Sequence, residues 1–419
     1  MEAYGCSANI AEAEMTQGLL REAGYTLADS PEKADLNIVV TCTVKTPTQN
    51  KIINRIKKLS ASSKPLVVAG CMPKAQRDLV ADTVPDASLI GPDDFNKVVY
   101  AVECALEGVR VEEVSGLPFD RTCLPRIRVR PLVHIAPIST GCLGNCSYCI
   151  VKKARGHLYS YPADDLVDDA KAAVTEGCRE LWITTEDTAA YRWEDVRLPD
   201  LLEVICNIEG SFYVRVGMMT PNQAWEIFDD LAKAYRHPKI FKFLHVPVQA
   251  GNDEVLGWMR RKYTVDDFRK LVSEFREAVP GLTVSTDVIC GFPGESEEQF
   301  MDTVSLMEEI EPDVLNISRF WSRPGTDAAS LPGQLHGRET KERSRIMSRV
   351  FKGISLKKNR KWIGWTGPVL IDERGKPGSM MGRNPSYKPV VIKRELSLGD
   401  LVEVKIVDAK TSYLVGVLV

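Results

Sequence analysis

The chain has 419 residues, of which 44% are hydrophobic and 26% charged, a composition ordinary for a soluble globular protein of two or three domains. No run of about eighteen uninterrupted apolar residues occurs, and residues 1–6 lack the basic and apolar regions of a signal peptide, so the expected location is the cytoplasm, with no membrane association. The formal charge of −3 conceals an asymmetry: residues 356–419 carry 12 Lys and Arg against 6 Asp and Glu, a basic end of the kind that phosphate contacts require.

In chain order, a short extended run at 2–5 and strand candidates at 36–41 and 65–70 alternate with amphipathic helical stretches. This β/α rhythm predicts a Rossmann-like domain over 1–110. Residues 110–131 hold Pro118, Pro125 and Pro131 among Arg121, Arg126, Arg128 and Arg130 without a sustained helical period, and read as a linker. Six further strand candidates, near 133–138, 181–185, 212–217, 241–248, 282–290 and 314–319, are mostly separated by helical patterns. They predict a partial (β/α)6 barrel within 128–360, the fold class being α/β. Residues 346–362 read as a long basic helix. After Gly364, short alternating runs at 368–371, 388–392, 401–406 and 413–417, broken by Gly and Pro, predict a small β-barrel over 361–419.

Eleven cysteines without a secretion signal argue for metal or redox work rather than a disulfide scaffold. Cys142, Cys146 and Cys149, in Thr-Gly-Cys-Leu-Gly-Asn-Cys-Ser-Tyr-Cys, follow the first barrel strand and so fall on a βα loop at the face where barrels carry their chemistry. A structural zinc site would need a fourth ligand, from a second Cys-x2-Cys pair, which is absent, or from a histidine such as His157. A four-iron cluster on three thiolates instead keeps one iron open to chelate the amino and carboxylate groups of S-adenosylmethionine. One electron from such a cluster releases a 5′-deoxyadenosyl radical.

Other positions in this barrel suit that cofactor. Tyr148 lies within the motif, and Glu186, beside Asp187, ends a strand where a carboxylate can hold the cofactor ammonium. Arg215 can meet its carboxylate, Gln249 follows His-Val-Pro-Val, and Asp287 opens Asp-Val-Ile-Cys-Gly-Phe-Pro-Gly-Glu, a strand-then-glycine loop suited to the adenosine. Singly, a Glu at a strand end is more often a helix cap, and Arg215 or Gln249 more often structural. Their common placement after successive strands favours a site.

Cys6, Cys42 and Cys71 are distant in sequence, yet each directly follows a short extended run. Ligands of an open parallel sheet gather outside the carboxyl ends of its strands, so three adjacent strands bring three thiolates to one rim and predict a second cluster. The alternative is that they are small buried hydrophobes, as Cys104, Cys178, Cys206 and Cys290 are taken to be; Cys123 is left open. The chain starts almost at its first strand, which leaves Cys6 an edge strand or further residues ahead of it.

The stretches Tyr-Gly-Cys-Ser-Ala-Asn at 4–9, Gly-Cys-Leu-Gly-Asn-Cys-Ser-Tyr-Cys at 141–149, His-Val-Pro-Val-Gln-Ala-Gly-Asn at 245–252, Met-Arg-Arg-Lys-Tyr at 259–263 and Arg-Phe-Trp-Ser-Arg-Pro-Gly-Thr at 319–326 resemble the radical S-adenosylmethionine methylthiotransferase family, most of all its archaeal and eukaryotic branch. The resemblance spans essentially the whole chain. It implies an amino-terminal methylthiotransferase domain over 1–110 with an auxiliary (4Fe-4S) cluster on Cys6, Cys42 and Cys71, a radical core over 128–360 with a second cluster on Cys142, Cys146 and Cys149, and an RNA-binding TRAM domain over 361–419. The implied substrate is N6-threonylcarbamoyladenosine at position 37, in the anticodon loop of tRNA, which receives a methylthio group on C2. Two molecules of S-adenosylmethionine are implied, one giving a methyl group to sulfur on the auxiliary cluster and the other the radical that abstracts hydrogen from C2 before transfer. An external electron donor, a sulfur source and a monomeric enzyme complete the expectation. C2–H of adenine is neither acidic nor next to a leaving group, so radical abstraction is the accessible route.

Ala190 departs from the family, standing where a glycine is usual. Arg260 and Arg261 are candidates for the threonylcarbamoyl carboxylate, while Lys388, Lys393, Arg394, Lys405 and Lys410 with Tyr387 and Tyr413 suit phosphates and stacked bases. The alternatives are a methylthiotransferase for a ribosomal-protein aspartate or for isopentenyladenosine-37 tRNA, and a non-catalytic iron–sulfur RNA-binding protein. The basic end favours RNA, and the cofactor positions favour catalysis.

Overall fold

A computed structural model describes all 419 residues. Its first sheet is parallel, with strands Glu2–Ala3, Asn37–Thr41, Leu66–Gly70, Ser88–Ile90 and Glu112–Glu113 in that spatial order, so the short first strand lies at an edge. Asn37–Thr41 and Leu66–Gly70 are buried at every position, as parallel strands covered on both faces should be. Ile38, Val40, Val67 and Ala69 pack with helices Ser7–Glu22 and Val98–Leu106 on one face. Val39, Leu66, Val68 and Leu89 pack with helices Thr46–Ser60 and Arg77–Thr83 on the other. The layering is Rossmann-like, but strand order runs sequentially across the sheet without a reversal.

The expected linker is an ordered clasp. Glu112–Glu113 is the fifth strand of the first sheet, and the Ile127 and Val129 amides donate to the Glu14 carbonyl and Glu14 Oε1, both at 2.9 Å. Arg121 is buried between Glu12 and Asp93. Proline and arginine density reads as a linker here because each arginine's acidic partner lies far away in sequence.

Strands Val133–Pro137, Glu180–Thr184 and Tyr213–Val216 form one parallel set, and Phe243–His245, Thr283–Cys290 and Val314–Arg319 another. Parallel bridges Val214–Ile240 and Met218–His245 join the sets into a six-stranded partial barrel in sequence order. Thr264 with Asp267 and Ser296 with Gln299 make capping boxes that start helices Val265–Ala278 and Glu297–Ile310. The basic helix spans Gly337–Arg360, starting earlier than its sequence pattern suggests.

A closed barrel of Thr366–Arg374, Met380–Arg383, Pro389–Ile392, Leu401–Ala409 and Leu414–Leu418 follows. Sequence reading missed Met380–Arg383, because Met-Met-Gly-Arg shows no polar–apolar alternation; its alternation is one of burial, with Met380 and Gly382 turned inward. This barrel docks where the core strands begin. Tyr387 packs on Phe241 and Phe243, with ring centroids 4.8 and 5.1 Å away, and Lys388 Nζ donates to Asp313 Oδ1 at 2.8 Å and Asn359 Oδ1 at 3.0 Å. Lys388 is 4% exposed and Tyr387 half-buried, which corrects the expectation that these two serve RNA: their neighbours are the core domain's own rings and carboxylate. No helix is long and apolar enough to cross a membrane.

Candidate active site

The first three strands of the amino-terminal sheet are neighbours, so Cys6, Cys42 and Cys71 leave the same rim. Cys6 is the N-cap of helix Ser7–Glu22, and Cys71 opens the short helix Cys71–Ala75. Gly5 and Gly70 precede them with φ of +121° and +90°, and a side chain would meet the Cys42 Cβ at 2.8 Å and the Thr41 carbonyl at 2.8 Å respectively. Only glycine admits both the conformation and the approach. Asn9 gathers the set: its Nδ2 donates to the Tyr4 and Thr41 carbonyls, both at 2.8 Å, and its Oδ1 accepts from the Cys6 and Cys71 thiols at 3.8 and 3.6 Å.

Cys142, Cys146 and Cys149 share the loop after the strands Val133–Pro137 and Ser139–Thr140. The Gly144 amide donates to Cys142 Sγ at 3.2 Å, and Arg261 Nη1 to Cys146 Sγ at 3.1 Å. Such donors are what thiolate ligands of an iron–sulfur cluster accept. No three His, Cys, Asp or Glu side chains converge closely enough to hold a single ion. Burial pushes the Cys71 and Cys149 thiols up to about 12, with Arg155 opposing at Cys71. The positive charge of bound iron would offset that cost. Both thiol sets therefore fit four-iron clusters in chemistry, and the Cys142, Cys146 and Cys149 set also in its surrounding donors.

A buried polar chain joins the two rims. Arg155, 2% exposed, donates to Glu12 and to Asn9 Oδ1 at 2.7 Å, and its Nε lies 3.8 Å from Glu186 Oε1. Burial pushes the Glu186 carboxyl up while Arg155 opposes it, and burial pushes Asp187 up to about 6 against two hydrogen bonds from Thr220. Sequence reading missed Asn9 and Arg155, which only the fold brings together, although Asn9 stands third after Cys6 in Tyr-Gly-Cys-Ser-Ala-Asn.

A cavity of about 280 Å³ opens between the domains, lined by Val44 and Lys45, which follow Cys42, and by Tyr148 and Cys149 of the radical loop. Gln249 and Asp287 line it too. Gln249 has φ of +74°, pinned because its amide donates to the Asp287 carbonyl at 2.8 Å and its carbonyl accepts from the Ile289 amide at 2.9 Å. Residues held in this sparsely populated region cluster at ligand sites, and Gln249 is held so at a cavity wall. Asp287 Oδ1 accepts from Asn316 at 2.6 Å and lies 3.0 Å from His245 Nε2.

Glu186 and Arg215 do not line this cavity. The Arg215 guanidinium is held 5.1–5.4 Å from the Trp182, Phe243 and Tyr387 rings, at the joint with the carboxy-terminal barrel. That placement sets it apart from the cavity that Tyr148, Gln249 and Asp287 line, where a cofactor carboxylate was expected to meet it. Arg260 is exposed and paired with Asp327, and Arg261 turns to Cys146 and Tyr148, so neither stands free for a substrate carboxylate. Ala190 is buried in a tight turn over Thr188–Ala190.

Residues 136–307 match the radical SAM superfamily, 1–91 the uncharacterized protein family UPF0004, and 360–419 the TRAM domain. A probable threonylcarbamoyladenosine tRNA methylthiotransferase of Methanothermobacter thermautotrophicus is 41% identical over 99% of this chain and 98% of its own length. The human threonylcarbamoyladenosine tRNA methylthiotransferase is 39% identical over 99% of this chain and 72% of its own. The fold is similar to the radical S-adenosylmethionine methyltransferase TsrM from Kitasatospora setae, with a TM-score of 0.58 and 15% identity over 76% of this chain and 72% of that one.

Proposed function

The chain belongs to the threonylcarbamoyladenosine tRNA methylthiotransferases, a radical S-adenosylmethionine family, and we propose that it adds a methylthio group to C2 of N6-threonylcarbamoyladenosine at position 37 of tRNA. The observation that carries this reading is that one cavity is bounded both by the loop after Cys42 and by the loop bearing Cys149. A carbon placed there is reachable from both thiol sets. Cys142, Cys146 and Cys149 would hold one (4Fe-4S) cluster and Cys6, Cys42 and Cys71 another. When bound, these groups and S-adenosylmethionine supply the electron, the radical and the sulfur.

The chain's own residues position the reactants. Tyr148, Gln249 and Asp287 form the wall for the adenosine, and Glu186, steered by Arg155, offers a carboxylate to the cofactor ammonium. The domains divide as 1–110, 128–360 and 361–419, the last contributing phosphate contacts. Position 37 lies in a loop, where a base leaves the stack at lower cost than in a duplex. The enzyme acts in the cytoplasm as a monomer, with an external electron donor and sulfur source.

Nucleoside mass spectrometry of tRNA incubated with anaerobically reconstituted enzyme, S-adenosylmethionine, sulfide and reductant tests the reading. The 2-methylthio derivative of threonylcarbamoyladenosine is expected, with about eight irons per chain. Replacing Cys142, Cys146 and Cys149 by alanine should leave about four irons and abolish 5′-deoxyadenosine formation. Replacing Cys6, Cys42 and Cys71 should also leave about four but keep that cleavage while stopping methylthiolation. Absence of the methylthio product from wild-type enzyme would refute the assignment.

A further inference from the structure

The outer wall of the cavity carries three cations, Lys45, Arg319 and Arg323. None has a carboxylate partner. Lys45 and Arg319 enter no ion pair, and Arg323 donates only to neutral oxygens, those of Gln49 and, at 2.6 Å, of Thr46. Arg323 is 3% exposed and its Nε is buried without a partner. Cys42 is the charged group that acts on Arg323, so a thiolate there would answer this guanidinium, whereas Lys45 and Arg319 are left without an anion, which is costly unless something anionic is to be met at the cavity.

The surroundings agree in sign. Helix Thr46–Ser60 opens at Lys45 with no side-chain cap, and Thr46, its first residue, is what Arg323 grips, so an uncapped helix terminus of fifteen residues adds partial positive charge to the same wall. The Arg319 guanidinium lies 4.4 Å from the centroid of the Trp321 ring, which fixes its plane while leaving its N–H fork free. The only acidic side chain of the lining, Asp287, is already engaged by Asn316 and His245.

We infer that Arg319 and Lys45, backed by Arg323 and the terminus of helix Thr46–Ser60, form the receptor for the threonyl carboxylate of the substrate base and thereby select threonylcarbamoyladenosine over adenosine lacking that acid. The assignment rests on the proposed function. A carboxylate is favoured over a backbone phosphate because the cations line the cavity bounded by both thiol-bearing loops, into which the target carbon must be brought, rather than the outer surface of the molecule.

The test uses reconstituted full-length enzyme and three anticodon stem-loops that differ only at position 37: threonylcarbamoyladenosine, the same nucleoside with its threonyl carboxyl capped as a neutral amide, and unmodified adenosine. Wild-type enzyme should show a KM for the amide about tenfold to a hundredfold above that for the acid. In Arg319→Gln and in Lys45→Gln that ratio should shrink towards one, chiefly through a raised KM for the acid, and Arg319→Lys should restore part of it. A ratio unchanged in the variants, with both RNAs weakened alike, would identify a phosphate contact and overturn the inference. Weakened binding of S-adenosylmethionine alone in Arg319→Gln would assign the guanidinium to the cofactor and overturn it equally. Failure of wild-type enzyme to modify the acid-bearing stem-loop would instead sink the proposed function, and the inference with it.

Discussion

At the scale of single residues, the thiols were legible and their supports were not. Cys142, Cys146 and Cys149 announce themselves by spacing, and Cys6, Cys42 and Cys71 by the extended run before each. Arg155 carries no such signal, because its partners Asn9 and Glu12 lie about 145 positions earlier in the chain. Its role is structural as well as local: with Arg121 it neutralises Glu12, which is 2% exposed. Removing one partner of a buried pair leaves a charge without compensation, at a cost of about 3–5 kcal/mol. Arg121 remains beside Glu12, so Arg155→Met should fall at the lower end, about 3 kcal/mol. Urea unfolding of the metal-free chain checks this, as a lowered midpoint at unchanged slope. A variant as stable as wild type would show that Arg121 alone suffices.

At the scale of elements, the six core strands stood out because apolar runs recur between helical patterns, whereas the joint to the last barrel did not. That joint is made by side chains whose sequence context is ordinary. Glu180, the first residue of its strand, is fully buried and accepts from Trp182 Nε1 at 2.7 Å. Burial first, and Asp372 of the last barrel second, push its carboxyl from the ordinary 4.5 up to about 7, while Arg383 opposes this. Glu180 Oε1 and Asp372 Oδ1 are both buried without a donor, and one proton carried by Glu180 satisfies the pair. The folded state therefore keeps a proton that the unfolded chain has lost, so this group makes stability fall as pH rises from about 4.5 through about 7, with no further change above. Glu180→Gln, neutral at every pH, should remove that decline. Thermal unfolding followed between pH 5 and pH 8 compares the slopes, roughly those of one proton. Parallel slopes would mean that Glu180 ionises within the fold.

At the scale of the whole molecule, the basic end and the catalytic face lie on opposite ends of the core. The carboxy-terminal barrel seals the end where strands begin, through Tyr387, Lys388 and the Arg130–Glu373 pair, while the cavity and both thiol sets lie where strands finish. The sequence showed a basic tail but not this separation, because the tail's attachment depends on Lys388 meeting Asp313, 75 residues away. Of the basic residues expected to serve RNA, Lys393, Arg394 and Lys405 remain exposed and enter no ion pair, whereas Lys410 is paired with Asp408 at 2.7 Å. An RNA whose base 37 occupies the cavity must pass along the core to reach them, and a whole tRNA extends further from that base than an anticodon stem-loop does. Replacing Lys393, Arg394 and Lys405 by glutamine should then weaken tRNA binding and lower the slope of log affinity against log salt by about one per lost phosphate contact, roughly three in all. Binding of the isolated stem-loop should change far less. Salt titrations of both RNAs measure the two slopes side by side, and an equal loss on the stem-loop would place the basic barrel beside the anticodon rather than at the far end of the core.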